Sequence, residues 1–353
     1  MLIDRFLAAA LTGSLMLMAG SAGAQTVGPS GETATPSAEV TLSDTDLAAV
    51  KEKGYKAALL WHTSSDFTNA VSAGAKDEFA RAGIQIVVTT DAGFDAARQR
   101  SDIETALAAK PNVMLSLPLD PVTSAEAFRQ ALTDGTKLVF LSNLPKGYKH
   151  GTDYAAIVTD DLFQMGKQAA DALAKALDGK GKVGYIFHDA SYYVTNQRDQ
   201  AFKTTIEKDY PGIKIVAEQG ISDPARAEEL ASAMLVQHPD LDGIYVTWAE
   251  PADGVLSALR ASGNTKTKIV TLDLAEPVAL DMVKGGNVTA LVADKAYELG
   301  RAMAAVGVKA LLGQETPAFV VAPALTVTKQ NVAQGWKDSL NRDAPQSVLD
   351  AAK

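Results

Sequence analysis

Polar and aromatic side chains follow several short apolar runs of this sequence, at the points where the runs end. The candidate ligand-binding residues are Ser65, Asp66, Phe67, Asn143, Asn196, Arg198, Trp248, Asp273 and Asp294. Carboxylates and amides hold hydroxyl groups by directed hydrogen bonds, while an aromatic ring covers the C–H face of a carbohydrate. This set of residue types predicts non-covalent binding of a small polyhydroxylated molecule.

Most of these residues also have an ordinary structural alternative. Ser65, Asp66 and Asp294 could cap the helices that follow them, and Asn143 could shape a turn. Residues 196–198 could lie on the exposed first turn of a helix. The two aromatic rings could instead pack in the interior or between two halves of the chain.

Other polar and aromatic positions near the run ends are weaker candidates. His62 and His188 each follow an apolar run, but a lone histidine is more often a core or rim residue than a ligand-binding one. Asp120 belongs to a Leu-Asp-Pro turn signal. Tyr192 or Tyr193 could add a further ring. None of these is included in the predicted site.

Composition argues against several other functions. The chain has no cysteine, which excludes disulfides and thiolate metal sites, and its four histidines show no pair at metal-ligand spacing. We therefore expect no metal and no cofactor. The net charge of −9 argues against nucleic acid as a partner.

Short β-branched runs alternate with longer amphipathic segments from residue 55 onward, and the rhythm restarts after residue 160. Strands are predicted at residues 56–61, 84–90, 113–117, 137–141, 183–187, 214–216, 243–246, 268–272 and 288–292, with further strands near residues 320 and 325. The strands are apolar on nearly every residue, which is typical of parallel sheets covered on both faces. We predict an α/β fold of two doubly wound parallel-sheet lobes joined by hinge crossover strands.

This fold explains why the candidate residues fall where they do. In open α/β sheets, ligands bind beyond the carboxyl ends of the strands. The segments that follow the predicted strands in both lobes hold the candidate residues, so we expect the ligand to bind between the lobes.

The N-terminal residues have a different character from the rest. Residues 1–24 carry an apolar run and the small-residue sequence Ala22-Gly23-Ala24, which predicts a signal peptide and export to the periplasm. Residues 25–53 are predicted to be a flexible tether, because residues 25–40 are rich in Thr, Ser, Pro and Gly. Lobe 1 then comprises residues 54–158 and 295–322, and lobe 2 comprises residues 159–294 and 323–353.

Several stretches, in their order and spacing, resemble the periplasmic sugar-binding proteins of the ribose/galactose type. They are residues 64–83 (SSDFTNAVSAGAKDEFARAG), 117–121 (LPLDP), 196–202 (NQRDQAF), 247–259 (TWAEPADGVLSAL) and 269–300. The resemblance extends over roughly residues 55–330. It implies the periplasmic binding protein type I fold, in which the lobes close around a ligand that is delivered to an ATP-driven (ABC-type) permease.

The resemblance also implies roles for individual residues. Phe67 matches the aromatic residue that stacks on the sugar, and Asp273 matches the aspartate of the family's F-D-G motif. Asp294 falls where the family often has Gln or Asp. Asn196 and Arg198 lie in the segment where the family places a ligand-binding Arg or Asn.

Two positions depart from the family pattern. Ser142-Asn143 stands where ribose binders have Asp-Arg, which removes a bidentate clamp on ring hydroxyls, and Trp248 stands where the family usually has Asn. These departures argue against ribose itself. Another pentose or hexose, a short polyol or a furanose-like signal molecule stays open.

The functional prediction is a monomeric, non-enzymatic periplasmic protein that captures a sugar or sugar alcohol for an ABC permease. One alternative is a sensor that presents a small signal molecule to a receptor kinase. A carbohydrate-active enzyme is a weaker alternative, in which Asp273 and Asp294 would form a glycosidase carboxylate pair. The sequence has no G-x-S-x-G elbow and no phosphate-binding loop after a strand. A transcription repressor of the same fold would carry a basic helix-turn-helix before residue 55, which is absent from the sequence.

Overall fold

The computed structural model of the protein describes residues 26–353, so the predicted signal peptide lies outside the described residues. The strands are β1 Ala34–Pro36, β2 Lys56–Trp61, β3 Gln85–Asp91, β4 Val113–Ser116, β5 Lys137–Leu141, β6 Ala156–Asp160, β7 Gly181–His188, β8 Ile213–Ile221, β9 Gly243–Val246, β10 Lys268–Leu272, β11 Val288–Ala293, β12 Phe319–Ala322 and β13 Leu325–Val327.

Helices alternate with these strands along most of the chain. They are α1 Asp44–Lys51, α2 Asp66–Arg81, α3 Ala96–Ala108, α4 Pro121–Ala127, α5 Arg129–Thr133, α6 Leu162–Ala176, α7 Tyr193–Asp209, α8 Ala227–Gln237, α9 Ala249–Ala261, α10 Glu276–Val283, α11 Ala296–Leu311, α12 Val332–Leu340 and α13 Gln346–Ala351. Across residues 26–353, no helix combines the length and the apolar character needed to cross a membrane.

Two sheets form the centres of two lobes. The first has seven strands in the order β1-β12-β6-β5-β4-β2-β3, and all of its pairs are parallel. The second has six strands in the order β13-β11-β10-β9-β7-β8, and it is parallel except for β13, which runs antiparallel to β11. Strands β4, β5 and β6 are buried along almost their whole length. This burial is expected of parallel sheets covered by helices on both faces, and the α/β architecture agrees with the prediction.

The chain passes between the two lobes three times. It leaves the first sheet after β6 for α6, returns after β11 for α11, and leaves again between β12 and β13. Asp160 ends β6, and Asp294 directly follows β11. The backbone N–H of Lys295 donates to Oδ1 of Asp160 over 3.0 Å, so the first two connections touch each other.

Glycines let the helices beside these connections approach closely. A Cβ at Gly74 of α2 would lie 2.0 Å from the carbonyl oxygen of Tyr297 in α11. A Cβ at Gly166 of α6 would lie 2.2 Å from the carbonyl oxygen of Arg198 in α7. Such distances exclude any side chain, so Gly166 allows α7 to seat Arg198 against the core of lobe 2.

The structure contradicts the prediction of a flexible tether for the residues it describes between 26 and 53. Strand β1 pairs with β12, with Ala34 opposite Phe319. Helix α1 begins at a capping box made by Ser43 and Asp46, and Val50 is fully buried. The prediction rested on the Pro, Ser and Thr content of the segment. Its apolar residues Val40, Leu42 and Val50 bury enough surface to order it.

Smaller differences concern the ends and the number of elements. Strand β6 was not predicted, although it is fully buried in the first sheet. Strand β8 is longer than the predicted residues 214–216. Its residues alternate between exposed and covered positions, as in an edge strand, so the short apolar run marked only part of it. A break at Phe128 separates α4 from α5.

Candidate functional site

A cavity of about 370 Å³ lies between the two lobes, at the carboxyl ends of the parallel strands. The predicted site residues that line it are Ser65, Asp66, Phe67, Arg198, Trp248, Asp273 and Asp294. The first three lie in lobe 1 and the next three in lobe 2, while Asp294 lies in the connection between them. The prediction of a site between the lobes therefore corresponds to a real cavity in the structure.

The start of α2 brings three of these residues to the rim. Ser65 caps the helix, because its hydroxyl accepts a hydrogen bond from the backbone N–H of Thr68 over 3.3 Å. The Asp66 carboxylate pairs with Arg342 from the C-terminal segment. Phe67 is half-buried and packs against the hydrophobic core. Ser65 thus has the capping role that was its structural alternative, and it lines the cavity as well.

The loops that follow β3, β5 and β10 place strained residues at the cavity. Phe94, Ser142 and Asp273 have φ angles of 59°, 59° and 66°, in the left-handed region that non-glycine residues rarely adopt. All three line the cavity. Strained backbone of this kind concentrates at functional sites, where the surrounding structure fixes it to aim a side chain.

Arg198 is the centre of the charged part of the cavity. Its Nη1 lies 2.9 Å from Oδ1 of Asp273 and 3.9 Å from Oδ1 of Asp294. Its Nη2 donates to the carbonyl oxygen of Thr247 over 3.2 Å, while its Nε has no hydrogen-bond partner. Burial opposes the charged form of Arg198, but Asp273 and Asp294 outweigh it and raise the arginine pKa, so the guanidinium stays charged.

Asp160 and Asp294 form a buried acidic pair beside this guanidinium. Both side chains line the cavity, and the two residues are 2% and 5% exposed. Burial raises the pKa of Asp160 to about 7, although hydrogen bonds from Asp294 and from the Lys295 backbone oppose the shift. Burial and the charges of Asp273 and Asp160 raise the pKa of Asp294 well above its ordinary range. The pair therefore retains a proton in the empty cavity at neutral pH.

Aromatic rings form two walls of the cavity. In lobe 2, the His188 and Trp248 rings meet edge to face with centroids 5.0 Å apart, and Tyr192 lies 5.2 Å from His188. In lobe 1, His62 and Phe94 meet edge to face at 5.2 Å. Burial lowers the pKa of His62 and of His188 to about 4, so both imidazoles are neutral at pH 7.

Two of these aromatic residues present buried polar atoms without a partner. Nδ1 of His62 and the hydroxyl of Tyr192 make no hydrogen bond within the protein. Buried polar groups are nearly always paired. Both residues line the cavity, which makes the two unpaired atoms candidates for hydrogen bonds to a ligand.

Two predicted site residues, Asn143 and Asn196, do not line the cavity. The Asn143 amide donates to the carbonyl oxygen of Pro118 over 3.0 Å and accepts from the Val194 backbone over 3.3 Å, which connects the two lobes. The Asn196 amide accepts from the Tyr192 backbone over 3.0 Å. Both side chains are engaged in hydrogen bonds within the protein, and the Asn143 amide bridges the lobes, a role that neither its binding nor its turn interpretation anticipated. Ser142 lines the cavity in place of Asn143.

The sequence analysis left out several residues that line the cavity: His62, Phe94, Asp160, His188 and Tyr192. Position after a strand would have been enough to find His62, His188 and Phe94. Asp160 gave no such signal, because the strand that it ends was not predicted. Within residues 26–353, no group of three His, Asp or Glu side chains is arranged to hold a metal ion.

Residues 57–315, well over half of the chain, match the family described as the periplasmic binding protein domain. A putative rhizopine-binding protein of Rhizobium meliloti is 25% identical over 69% of this chain and 80% of its own length. A D-ribose/D-allose-binding protein of Pseudomonas aeruginosa is 28% identical over 68% of this chain and 70% of its own length.

Solved structures of solute-binding proteins have the same fold as this chain. An ABC transporter solute-binding protein from Agrobacterium vitis, bound to α-D-tagatopyranose, superimposes with a TM-score of 0.72 at 23% identity and covers 79% of this chain and 96% of its own. A carbohydrate transporter solute-binding protein from Agrobacterium radiobacter, in complex with D-arabinose, has the same TM-score at 21% identity and covers 82% of this chain and 100% of its own.

Proposed function

The chain belongs to the periplasmic binding protein domain family, and we propose that it captures a sugar or sugar alcohol between its lobes and delivers it to an ABC-type permease in the inner membrane. The observation that carries the proposal is the cavity itself. Its wall combines aromatic rings from both lobes with carboxylates and one buried guanidinium.

This lining suits a polyhydroxylated ligand better than an apolar one. Oxygen acceptors of Asp273 and Asp294 and donors of Arg198 can hold ring hydroxyls, and the unpaired Tyr192 hydroxyl and His62 nitrogen can hold others. Phe67 and Trp248, one from each lobe, offer aromatic faces to the C–H surface of a sugar. A ligand that fills the cavity therefore contacts both lobes at once.

Contact with both lobes is what couples binding to closure. The three connections between the sheets are short, and hinge motion about such connections is a common response to a ligand held between domains. Ligand that bridges Phe67 in lobe 1 and Trp248 in lobe 2 favours the closed arrangement by its extra contacts there. The closed pair of lobes is then the form that the permease recognises.

The remaining parts of the proposal concern location and partners. The protein acts as a periplasmic monomer without enzymatic activity, metal or cofactor, and it does not bind nucleic acid, which the net charge of −9 disfavours. Support for the sugar class comes from relatives named for ribose, allose and apiose. Support for the importer comes from relatives named as import binding proteins.

A thermal-shift screen tests the proposed function. Residues 25–353 are purified, any co-purified ligand is removed by unfolding and refolding, and the protein is melted with sugars, polyols and amino acids. Binding to the native state alone raises the midpoint of unfolding, so a rise of several degrees with a carbohydrate supports the proposal. A rise with amino acids and with no carbohydrate would reject it.

A further inference from the structure

The charges that line the cavity are strongly unbalanced. The carboxylates are those of Asp66, Asp160, Glu250, Asp253, Asp273 and Asp294. Among the lining residues that the structure describes, Arg198 alone carries a positive charge, because burial keeps His62 and His188 neutral at pH 7. A neutral ligand would leave this excess of negative charge in place.

Contacts within the protein balance only some of these carboxylates. Asp66 is paired with Arg342, and Asp273 holds the short contact to Arg198. Asp294 is 3.9 Å from the same guanidinium nitrogen, which is too long for a good hydrogen bond. Asp160 receives a backbone N–H from Lys295 and shares a side-chain hydrogen bond with Asp294. The Lys295 ammonium group lies 3.8 Å from Glu298 instead.

Glu250 and Asp253 are exposed and partly exposed to solvent, so water can screen them. The acidic groups that are buried without a close cation are therefore Asp160 and Asp294, the most deeply buried carboxyl groups of the cavity. Burying an ionised carboxylate without a partner is costly. Two carboxyl groups that lie side by side, from two different chain connections, avoid this cost by holding a proton, and a cationic ligand is suited to replace that proton.

We propose that the natural ligand is an amino sugar or amino polyol whose protonated amine binds between Asp160 and Asp294. This inference rests on the proposed function and narrows its ligand class. The ammonium group presents three donors, enough to reach Asp160 and Asp294 with charge-assisted hydrogen bonds and still contact a third acceptor. The hydroxyls of the same ligand are left to Arg198, Asp273 and the unpaired atoms of His62 and Tyr192.

The bound ammonium group would replace a proton that the acidic pair holds in the ligand-free protein. The groups that face the pair are the Arg198 guanidinium from α7, the Asp273 carboxylate after β10 and the backbone N–H of Lys295. In the empty cavity the raised pKa values of Asp160 and Asp294 keep a proton on the pair. When an amine that is already protonated in solution binds, the proton of the pair passes to the solvent, so binding releases protons.

The test compares matched ligands by isothermal titration calorimetry at pH 6.5, where the amines are protonated before they bind. The pairs are D-glucosamine with D-glucose, D-galactosamine with D-galactose, and an aminodeoxy-inositol with myo-inositol. The N-acetyl derivatives serve as controls, because they keep the nitrogen and remove its charge. Titrations are repeated in phosphate and in MOPS, whose different ionisation enthalpies report the protons released and neither of which is a primary amine.

We expect at least one amine to bind ten or more times tighter than its hydroxyl partner, with loss of that advantage on N-acetylation and with proton release. In D294N, and separately in D160N, the ratio of amine affinity to hydroxyl affinity should fall at least tenfold. Both variants are isosteric with the wild type, and if one of them misfolds, the other still tests the proposed position of the amine.

The outcomes separate this inference from the proposed function. A neutral sugar or polyol that binds as tightly as its amine, or tighter, overturns the inference and leaves the proposed function standing. Binding of an amine with a ratio that neither variant changes also overturns it, because the amine is then held elsewhere. If no member of either series binds, the inference fails, while the proposed function is decided separately by the wider thermal-shift screen of sugars, polyols and amino acids.

Discussion

Nη1 of Arg198 and Oδ1 of Asp273 lie 2.9 Å apart, although the two residues are 75 positions apart in the sequence. Arg198 comes from α7, and Asp273 is held in a left-handed conformation directly after β10. The contact fixes both charged groups before any ligand arrives. A site organised in this way loses little side-chain freedom on binding, which favours affinity.

Trp248 should report ligand binding through its fluorescence. The chain has three tryptophans, and Trp61 and Trp336 are 3% and 0% exposed in the cores while Trp248 lines the cavity. We expect a ligand-induced change in emission that is lost in W248F and retained in W61F. We also expect W248A to weaken binding by about 1.5–3 kcal/mol, because an aromatic wall is removed. A fluorescence change that survives W248F would mean that Trp248 does not contact the ligand.

Replacing Asp160 with Asn should stabilise the empty protein, and more so at high pH. The native pKa of Asp160 is about 7, against an ordinary value of 3.8, so between these pH values the native state binds more protons than the unfolded state. Stability of the wild type therefore falls as pH rises from about 4 to about 7. Asn does not ionise, so the stability advantage of D160N over the wild type should be larger at pH 8 than at pH 4.

Urea unfolding of ligand-free wild type and D160N at pH 4 and at pH 8 measures this advantage. D240N, at an exposed ion pair on lobe 2, is the control, and it should show no comparable gain at pH 8. Equal stability differences between D160N and wild type at the two pH values would contradict the ionisation argument.

The N-terminal segment should contribute to stability rather than act as a tether. Removing residues 26–36 deletes strand β1 and the hydrogen bonds that Thr26 makes with Asp161 and with the backbone of Phe163. We expect the unfolding midpoint of this truncated chain to fall by roughly 5 °C. Removing residues 26–31 alone keeps β1 and should cost less. If neither truncation lowers the midpoint in a thermal melt, the segment contributes no stability to the fold, as expected of a flexible tether.

The sequence was sufficient to predict most strands of the two sheets, but it was not sufficient to predict the ordered structure of the N-terminal segment. Strands such as β2 and β5 are apolar on almost every residue, and this pattern is typical of a buried parallel strand whichever elements pack against it. Strand β1, Ala34–Pro36, has three residues and ends in proline, so no local signal marks it. Its pairing with β12, far along the chain, is a tertiary event.

The same distinction explains which site residues could be predicted. Phe67, Trp248 and Asp273 follow predicted strands, and their position is a topological consequence of the fold. The roles of Asn143 and Asn196 depend on which carbonyl or N–H group each amide meets, and nothing in the local sequence specifies this. The juxtaposition of Asp160 with Asp294 depends on two connections that run side by side, and it became visible only in the folded chain.

The proposal that this cavity binds a polyhydroxylated ligand is tested most directly by calorimetric titration of wild type and D273N with the carbohydrate that gives the largest thermal shift. Asn tolerates the left-handed backbone at this position, so the substitution removes the charge and leaves the shape. D240N is again the control. We predict that D273N weakens binding by about 2–4 kcal/mol, since a charge-assisted acceptor is lost and Arg198 is left without its short contact. Unchanged affinity in D273N would contradict the assignment of this cavity as the binding site.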